Sequence, residues 1–255
     1  MNFDFQAHRV HDYDYLIKRW KSLARKSGVI CKPYSNAEEF DLFYLRSPAL
    51  KAGCSGIYLS AGIHGDEAAS TEGLFQWAYL NHSILKDLPV IMFPCLNPWG
   101  LVHNRRTDSE GRDLNRSFHL DELPRIREHK EVLDGLRFRL ALCLHEDFDA
   151  QGVYLYEIRK RLSPFGKELL GAAGFYVPID LRRTIEGRRA KQGWIARRAP
   201  RLPISIGLPE SIYLSKNHSE RNITLETPSE YDLGLRIQAQ IATIQRAIEL
   251  SFVKV

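Results

Sequence analysis

The sequence has few of the residues that mark disulfide frameworks, cysteine metal sites or flexible linkers. Its four cysteines (Cys31, Cys54, Cys95 and Cys143) include no Cys-x-x-Cys pair, and three of them lie in or beside strand-like runs. This spacing argues against a cysteine zinc site and predicts buried, reduced thiols, as in a reducing cytoplasm. Glycine and proline are not enriched, and the chain contains no repeat or low-complexity tract. We therefore expect a single domain over residues 1–255.

Long hydrophobic runs are also missing. Charges or prolines interrupt each apolar stretch within about ten residues, which is too short for a helix that spans a bilayer. The chain begins Met-Asn-Phe-Asp-Phe-Gln, where a signal peptide would need a basic start and then an apolar stretch. The hydrophobic content of 44% and the charged content of 26% are those of an ordinary soluble globular protein. Together these features predict a cytoplasmic protein with no membrane partner.

Positive charge is concentrated in one segment, Arg182–Arg201. It holds eight basic residues and a single acid, Glu186, and so carries more than the chain's whole net charge of +5. One interpretation is a solvated loop or hairpin, and another is a rim that attracts an acidic substrate. Nucleic-acid binding is a weaker third interpretation, because only Trp194 interleaves with the arginines, whereas a base-stacking platform needs several aromatic side chains. We therefore expect no nucleic-acid partner.

Strand-like and helix-like runs alternate through the first two thirds of the chain. Gly56–Ala61, Val90–Phe93 and Leu140–Leu144 have the composition of buried strands, while Glu67–Asn81 and Leu233–Phe252 space their apolar residues as helices do. Further predicted elements are helices at 14–27, 121–138 and 164–173, strands at 29–34, 40–45, 153–158, 212–214 and 222–225, and a turn at 97–100. This alternation predicts an α/β fold with a mostly parallel sheet covered by helices on both faces.

A His-x-x-Glu sequence, His64 and Glu67, directly follows the strand-like run 57–63. Imidazole and carboxylate are ligands that Zn²⁺ accepts, and a catalytic zinc usually takes three protein ligands and leaves one position for water. His145, at the end of the run Leu140–Leu144, offers a third ligand at the carboxyl end of another strand, where such sheets bind ligands. The pair by itself is a weak signal, because His64 can also be a loop histidine and Glu67 a favourable anion in a helix's first turn.

Three further segments contain side chains suited to amide hydrolysis, which needs an activated water, a stabilised oxyanion and a proton carrier. They are Asn97-Pro98-Trp99-Gly100 continuing through His103-Asn104-Arg105-Arg106 to Gly111-Arg112-Asp113-Leu114-Asn115-Arg116-Ser117-Phe118, then Leu144-His145-Glu146-Asp147, and Ile223-Thr224-Leu225-Glu226-Thr227-Pro228. With these motifs in this order, the chain resembles the zinc carboxypeptidases of the carboxypeptidase A superfamily over residues 55–250. The likeness is closest to small bacterial members such as murein peptide amidases, and looser to the succinylglutamate desuccinylase and aspartoacylase branch.

The resemblance implies a fold and a metal centre. The fold would be a three-layer α/β/α sandwich around a mixed, mostly parallel sheet. One Zn²⁺ ion would be held by His64, Glu67 and His145. Asp113 would bind the far ring nitrogen of His64, which makes chemical sense because such a partner fixes the tautomer of a metal-bound imidazole and raises its basicity.

The resemblance also implies roles for residues around the metal. Arg106 would polarise the scissile carbonyl and stabilise its oxyanion, with Arg105 as a weaker alternative for that role. Asn115 and Arg116 would bind a substrate carboxylate, for which a planar guanidinium is well suited. Glu226 would be the general base that takes a proton from the water and delivers it to the leaving amine.

Two positions depart from the superfamily pattern. Many carboxypeptidases place a mobile tyrosine over the substrate carboxylate, but Tyr213, the nearest tyrosine before Glu226, stands closer to it than the pattern requires. The loop that determines specificity in the superfamily falls within Arg182–Arg201. We expect these arginines to favour substrates with acidic groups, such as peptides that bear glutamate or diaminopimelate.

The sequence thus predicts a zinc-dependent metallocarboxypeptidase or peptide amidase, which uses a zinc-activated water to hydrolyse an amide bond next to a free carboxylate. The context of Glu226 and the spacing of Arg106 favour this function. An N-acyl amino acid deacylase of the succinylglutamate desuccinylase or aspartoacylase type is an alternative, because its substrates also present carboxylates to Asn115 and Arg116. A non-catalytic zinc-containing protein that binds peptides is a third candidate. No feature of the sequence predicts an oligomeric state.

Overall fold

A mixed sheet of eight strands runs through the part of the chain that the computed structural model describes, residues 7–160, 162–197 and 207–252. Its strands are β1 (Ile30–Ala37), β2 (Phe40–Arg46), β3 (Ser55–Ser60), β4 (Val90–Phe93), β5 (Arg137–Asp147), β6 (Tyr154–Arg159), β9 (Trp194–Arg197) and β10 (Arg221–Pro228), while β7 (Thr184–Ile185) and β8 (Arg188–Arg189) pair separately. The order across the sheet is β1-β2-β4-β3-β5-β10-β6-β9. Strands β4, β3, β5 and β10 form a parallel centre, and antiparallel pairings join β1, β2 and β6 to it.

Helices cover both faces of this sheet. They are α1 (Tyr13–Ser27), α2 (Ala68–Leu80), α3 (Pro98–His103), α4 (Pro124–Val132), α5 (Gly166–Ala173), α6 (Glu210–Asn217) and α7 (Leu233–Phe252). Along β3, Ile57 and Leu59 join one apolar core with α1, α2, α5 and α7, while Tyr58 joins a second core with α4 and α6. This alternation follows from the two-residue period of a strand. The predicted three-layer α/β/α architecture is confirmed.

Two predicted elements are wrong. The helix expected at 121–138 ends at Val132, because Gly135 adopts the left-handed conformation (φ +69°) and reverses the chain into β5. The run Ile212–Leu214, expected as a strand, is the buried face of α6. The second error concerns a short apolar run, in which a buried helix and a strand have the same composition.

Two smaller expectations are also corrected. The turn expected at Asn97 is the beginning of α3, where the Asn97 side chain accepts a hydrogen bond of 3.0 Å from the Gly100 N–H. All four cysteines are free; Cys95 and Cys143 are buried as predicted, whereas Cys54 is exposed in the turn before β3. Among the helices described, none combines the length and the apolar character needed to cross a membrane.

The parallel centre of the sheet determines where a site can form. Because β3, β5 and β10 run in the same direction, their carboxyl ends lie at one edge of the sheet. The loop after β3 carries His64, and it leads directly into α2. His145 lies near the end of β5 and is paired in register with Glu226 on β10. Segments far apart in the sequence therefore meet at this edge.

Candidate active site

Three buried side chains, those of His64, Glu67 and His145, converge at the carboxyl edge of the sheet. One possible ligand atom from each lies within 4.8 Å of the others. Nδ1 of His64 is 2.5 Å from Oε1 of Glu67, and Nδ1 of His145 is 2.9 Å from Oε2 of the same carboxylate. The side chains that sequence spacing proposed as metal ligands are therefore brought together around one point.

This group of atoms fits a divalent cation better than it fits a hydrogen-bond network. Although His145 Nδ1 lies 2.9 Å from Glu67 Oε2, that oxygen is buried and accepts no properly directed hydrogen bond from the described residues. A cation between the three side chains would bind this oxygen directly. Two imidazoles and one carboxylate are a known ligand set of catalytic zinc sites. Among the described residues, this is the one group of such side chains placed to hold an ion.

The electrostatics of the three side chains are those of a buried anion between two imidazoles. Burial lowers the pKa of His64, but the carboxylates of Glu67 and Asp113 outweigh burial and raise that pKa to about 9. Burial also lowers the pKa of His145, but the carboxylates of Glu67 and Glu226 outweigh burial and raise that pKa. Conversely, burial raises the pKa of Glu67, and the charges of His64 and His145 outweigh it and lower the pKa to about 2. In the metal-free protein His64 therefore holds its proton at neutral pH, and the equilibrium of His145 is shifted toward its protonated form.

Binding of one Zn²⁺ ion should therefore release at least about one proton at neutral pH, since metal-ligating imidazoles must be neutral. Calorimetric titration with zinc at pH 7, in buffers of different ionisation enthalpy, gives the number of protons released. A value near zero would contradict the raised pKa values of His64 and His145.

Asp113 connects the three candidate metal ligands His64, Glu67 and His145, here called the metal group, to Arg106, the residue predicted to stabilise the oxyanion. Its Oδ1 faces Nε2 of His64 at 3.2 Å, and its Oδ2 accepts a hydrogen bond of 3.0 Å from Arg106 Nη2. The Asn115 N–H, where a short 3₁₀ helix begins, also donates to Oδ1 at 2.9 Å. Burial raises the pKa of Asp113, but His64 and Arg106 outweigh it and hold that pKa well below its usual range. A single ionised carboxylate thus orients His64 and Arg106 together.

The loop that carries Arg106 packs directly against the turn after β3. A Cβ atom on Gly65 would lie 1.9 Å from the carbonyl carbon of Gly100, so a larger residue cannot occupy this position without displacing the loop. The Gly65 N–H donates a hydrogen bond of 3.0 Å to the carbonyl of Arg105. The close approach sets the distance between the two loops, and Arg106 Nη1 consequently lies 3.2 Å from His64 Nδ1.

Glu146 follows His145 in the chain but belongs to the support of the site. It accepts hydrogen bonds from the Ala69 N–H at 2.8 Å and from Arg236 Nη1 at 2.5 Å. Ala69 is in the first turn of α2, directly after Glu67 and Ala68, so this carboxylate fixes the end of the helix that presents Glu67. With both oxygens engaged, Glu146 is poorly placed to bind a metal ion.

Glu226 lies beside the metal group on the neighbouring strand. It pairs in register with His145 on β5 and with Tyr154 on β6, so the three side chains share one face of the sheet. Glu226 lines the same cleft of about 140 Å³ as His64 and Glu67. Burial raises the pKa of Glu226 well above its usual value, and the charge of His145 opposes this only in part. A carboxyl group with a raised pKa in a cleft is suited to accept a proton and return it.

The same cleft contains the residues proposed to bind a substrate. Arg106, Asn115 and Arg116 line it, whereas Arg105 is not among the described residues that do. The Glu210 N–H donates to Oδ1 of Asn115 at 3.1 Å, which leaves the amide nitrogen of Asn115 for another partner. Arg116 is exposed, and its Nη1 donates to the carbonyl of Asn115 at 3.0 Å. Positive charge and an amide donor therefore line the same cleft as the metal group.

Comparison with solved structures gives the fold a family context. A protein of Shewanella amazonensis SB2B, provisionally named a metallopeptidase, superimposes with a TM-score of 0.83 and 23% identity, with 94% of each chain covered. A metallo-carboxypeptidase from Burkholderia cenocepacia gives a TM-score of 0.66 and 15% identity, over 93% of this chain and 68% of its own. The murein-tripeptide amidase of Escherichia coli O157 gives 0.60 and 17%, over 91% and 97%. The chain has the metallocarboxypeptidase fold. The resemblance inferred from the four motifs is thereby confirmed.

A sequence comparison adds a second relationship. Residues 55–155 match the family model of the succinylglutamate desuccinylase/aspartoacylase catalytic domain, which covers less than half of the chain. The matched stretch contains His64, Glu67 and His145 and ends before Glu226. A comparison with curated proteins gives no match.

Tyr213, the tyrosine considered from the sequence, does not line the cleft, and two other tyrosines do. The Tyr213 hydroxyl lies 3.1 Å from Nε2 of His218, and its ring packs against Phe118, outside the described lining of the cleft. Tyr154 and Tyr156 of β6 line the cleft instead. The sequence indicates that Tyr154 and Tyr156 share one face of the sheet, because they are alternate residues of one strand and such residues point to the same side.

The basic segment Arg182–Arg201 contributes to the cleft in part. Its described portion contains the β7–β8 hairpin and strand β9, while Arg198 and Arg201 lie outside the described residues. Glu186, at the turn of the hairpin, and Arg197, at the end of β9, both line the cleft. The segment is therefore a hairpin and also part of the wall of the cleft.

A larger cleft of about 420 Å³ lies elsewhere, between α1 and β2. Its charged lining includes Lys18, Lys21 and Asp41, but none of the side chains that converge on the metal group. We place the active site in the smaller cleft, because the buried ligand atoms, the raised pKa of Glu226 and the cationic side chains meet there.

Proposed function

We propose that this protein is a zinc-dependent hydrolase that cleaves an amide bond next to a free carboxylate, as a metallocarboxypeptidase or peptide amidase. One observation carries the proposal: Glu226 lies beside His145 in register, so a proton carrier adjoins the three ligand atoms within one cleft. The fold supports the same conclusion, since proteins named as metallopeptidases, carboxypeptidases and an amidase share it.

In this proposal His64, Glu67 and His145 hold the zinc ion. When bound, the ion would lower the pKa of water to about 7 and polarise the carbonyl of the scissile amide. Glu226 takes the proton from the attacking water and transfers it to the leaving amine. Burial suits Glu226 to both steps, because a raised pKa brings its proton affinity closer to that of its partners.

The cationic side chains position the substrate and stabilise charge. Arg106, held by Asp113, presents N–H donors toward the oxyanion that develops as the carbonyl is attacked. Asn115 and Arg116 bind the free carboxylate of the substrate, Arg116 through its planar guanidinium. Because both groups of donors line one cleft, an amide bond close to a carboxylate would engage them together.

Arg106→Met should lower kcat by roughly 10²–10³-fold with a smaller change in KM, because a preorganised donor to an oxyanion acts mainly in the transition state. Steady-state kinetics of the zinc-loaded variant, with its zinc content measured in parallel, provide the test. Arg105→Met is the matched control, since Arg105 is a neighbouring exposed arginine outside the described cleft lining. Equal losses in the two variants would remove Arg106 from its proposed role.

The deacylase function remains the second candidate, and the match to the succinylglutamate desuccinylase/aspartoacylase family model favours it specifically. A hydrolysis screen of the zinc-loaded protein separates the two. The substrates would be N-acyl dipeptides, cell-wall tripeptides, N-succinylglutamate and N-acetylaspartate. We expect cleavage of peptides at the bond next to the free carboxylate. Cleavage of the N-acyl amino acids alone would establish the deacylase, and binding without turnover across all substrates would support a peptide-binding protein.

A further inference from the structure

We infer that Arg197 determines specificity by binding a carboxylate on the side chain of the substrate residue whose main-chain carboxylate Asn115 and Arg116 bind. The inference rests on the proposed function and adds the class of substrate: peptides that end in a residue with an acidic side chain. Three features support it: the position of Arg197 at one end of the cleft, the absence of a hydrogen-bonded carboxylate at its guanidinium among the described residues, and the apolar lining beside it.

Arg197 is the last residue of β9, at the edge of the sheet. It pairs in register with Ile158 of β6, and Tyr154 and Tyr156 precede Ile158 on the same face of that strand. Since Tyr154 is paired with Glu226, Arg197 occupies the end of the cleft away from the metal group. Its guanidinium lies 5.6 Å from the centre of the Tyr156 ring.

The guanidinium of Arg197 has no anionic partner among the described residues. It makes no hydrogen bond or ion pair with them, in contrast to Arg182, which binds Asp180 at 2.5 Å. Burial lowers the pKa of Arg197, the neighbouring Arg188 adds to this effect, and the charge of Glu186 opposes it only in part. A partly desolvated guanidinium that is bound to no carboxylate retains its fork of N–H donors for a carboxylate ligand.

Glu186 is the one acidic side chain near Arg197 in the described wall of the cleft, and it is already engaged. The hydroxyl of Tyr156 donates a hydrogen bond to Oε2 of Glu186, which is an exposed residue at the turn of the hairpin. No ion pair joins Glu186 to Arg197. A substrate with a cationic side chain would therefore meet a guanidinium that is not neutralised by an ion pair, and that repulsion would disfavour it.

The rest of this end of the cleft fits a short aliphatic stem. Tyr156 and Ile158, on the strand next to Arg197, line it with a ring and aliphatic carbons. The whole cleft, from the metal group to Arg197, has a volume of about 140 Å³, which is below the range of typical small-molecule pockets and favours a single short side chain at this end. An apolar wall that ends in a guanidinium matches a side chain of methylenes that ends in a carboxylate.

Kinetics on three peptides test the inference. The substrates are N-acyl-Gly-Glu, N-acyl-Gly-Gln and N-acyl-Gly-Lys, which differ only in the C-terminal side chain. We expect the wild-type protein to prefer Glu over Gln by roughly tenfold or more in kcat/KM, as a charge-assisted Arg–carboxylate contact provides, and to cleave the Lys peptide least. Arg197→Gln should bring the Glu/Gln ratio close to one, and Arg197→Glu should reverse the order so that Lys exceeds Glu. Arg189→Glu, on the exposed face of β8 and outside the described cleft lining, should keep the wild-type order.

Binding of the same peptides to zinc-loaded Glu226→Gln, measured by calorimetry, makes the test independent of turnover. A wild-type protein that cleaves or binds the Gln peptide as well as the Glu peptide would overturn the inference. An unchanged order in Arg197→Glu would overturn it too, and the proposed function would stand in both cases. Absence of hydrolysis of all three peptides by zinc-loaded wild-type protein would instead contradict the proposed function, while the binding order still tests Arg197.

Discussion

Glu226→Gln should lose hydrolytic activity by roughly 10²–10⁴-fold while its zinc content stays at one ion per chain. Glutamine has nearly the same shape as glutamate, but its amide cannot take a proton from water and return it to an amine. Glu226 is not one of the three side chains that converge as ligands, so its substitution leaves them in place. Kinetics and zinc analysis of the same preparation measure both quantities.

Glu220→Gln is the matched control for this variant. Glu220 is an exposed residue directly before β10, at the end of the strand opposite to the metal group, and we expect it to retain wild-type turnover. Wild-type activity in Glu226→Gln would refute the proposed mechanism. Loss of zinc together with activity would instead assign Glu226 to the metal centre itself.

His145→Gln should lose both the metal ion and the activity. His145 contributes one of three ligand atoms at a buried site, and the remaining pair, His64 and Glu67, would leave the ion with too few protein ligands for tight binding. Because a ligand that binds the folded state stabilises it, zinc at about 100 times its dissociation constant should stabilise the wild-type protein by about 2.7 kcal/mol. Thermal unfolding with and without zinc should show this shift in the wild-type protein and not in His145→Gln.

His82→Gln serves as the control for that comparison. Its ring binds the carbonyl of Tyr79 at the end of α2 and lies outside the metal group, so its zinc-dependent shift should equal that of the wild-type protein. Full zinc content in His145→Gln would mean that zinc binds elsewhere. A loss of zinc in His82→Gln equal to that in His145→Gln would contradict the assignment as well.

The positions of the candidate ligands could be predicted because each depends on local sequence. A buried strand followed by His64 and Glu67, and another that ends at His145, place these side chains at the carboxyl ends of their strands. A parallel sheet brings such ends to one edge. Strand composition predicted the sheet for the same reason, since strands buried on both faces are apolar throughout.

The neighbours across the sheet could not be predicted in this way. Parallel strands pair through long connections, so the sequence does not reveal that β10 lies between β5 and β6 and places Glu226 beside His145 and Tyr154. The position of Arg197 in the cleft was equally hidden, because seven other basic residues share its segment and only the register of β9 distinguishes it from them. Short apolar runs such as Ile212–Leu214 failed for another reason, since composition does not distinguish a buried helix from a strand.

The choice between peptidase and deacylase depends on the part of the chain beyond the family match. Residues 55–155 contain the metal group, Arg106 and the pair Asn115 and Arg116, to which both proposals assign the same roles. Glu226, Arg197 and the wall formed by α6 all lie after this stretch. Substitutions in this later part should therefore change substrate choice more than substitutions around the metal group do.

Diffraction from zinc-soaked crystals, recorded above and below the zinc absorption edge, tests the central claim most directly. The account predicts one strong anomalous peak in the cleft, at about 2.0–2.2 Å from Nδ1 of His64, a carboxylate oxygen of Glu67 and Nδ1 of His145. Anomalous peaks that all lie away from these three side chains would contradict the account.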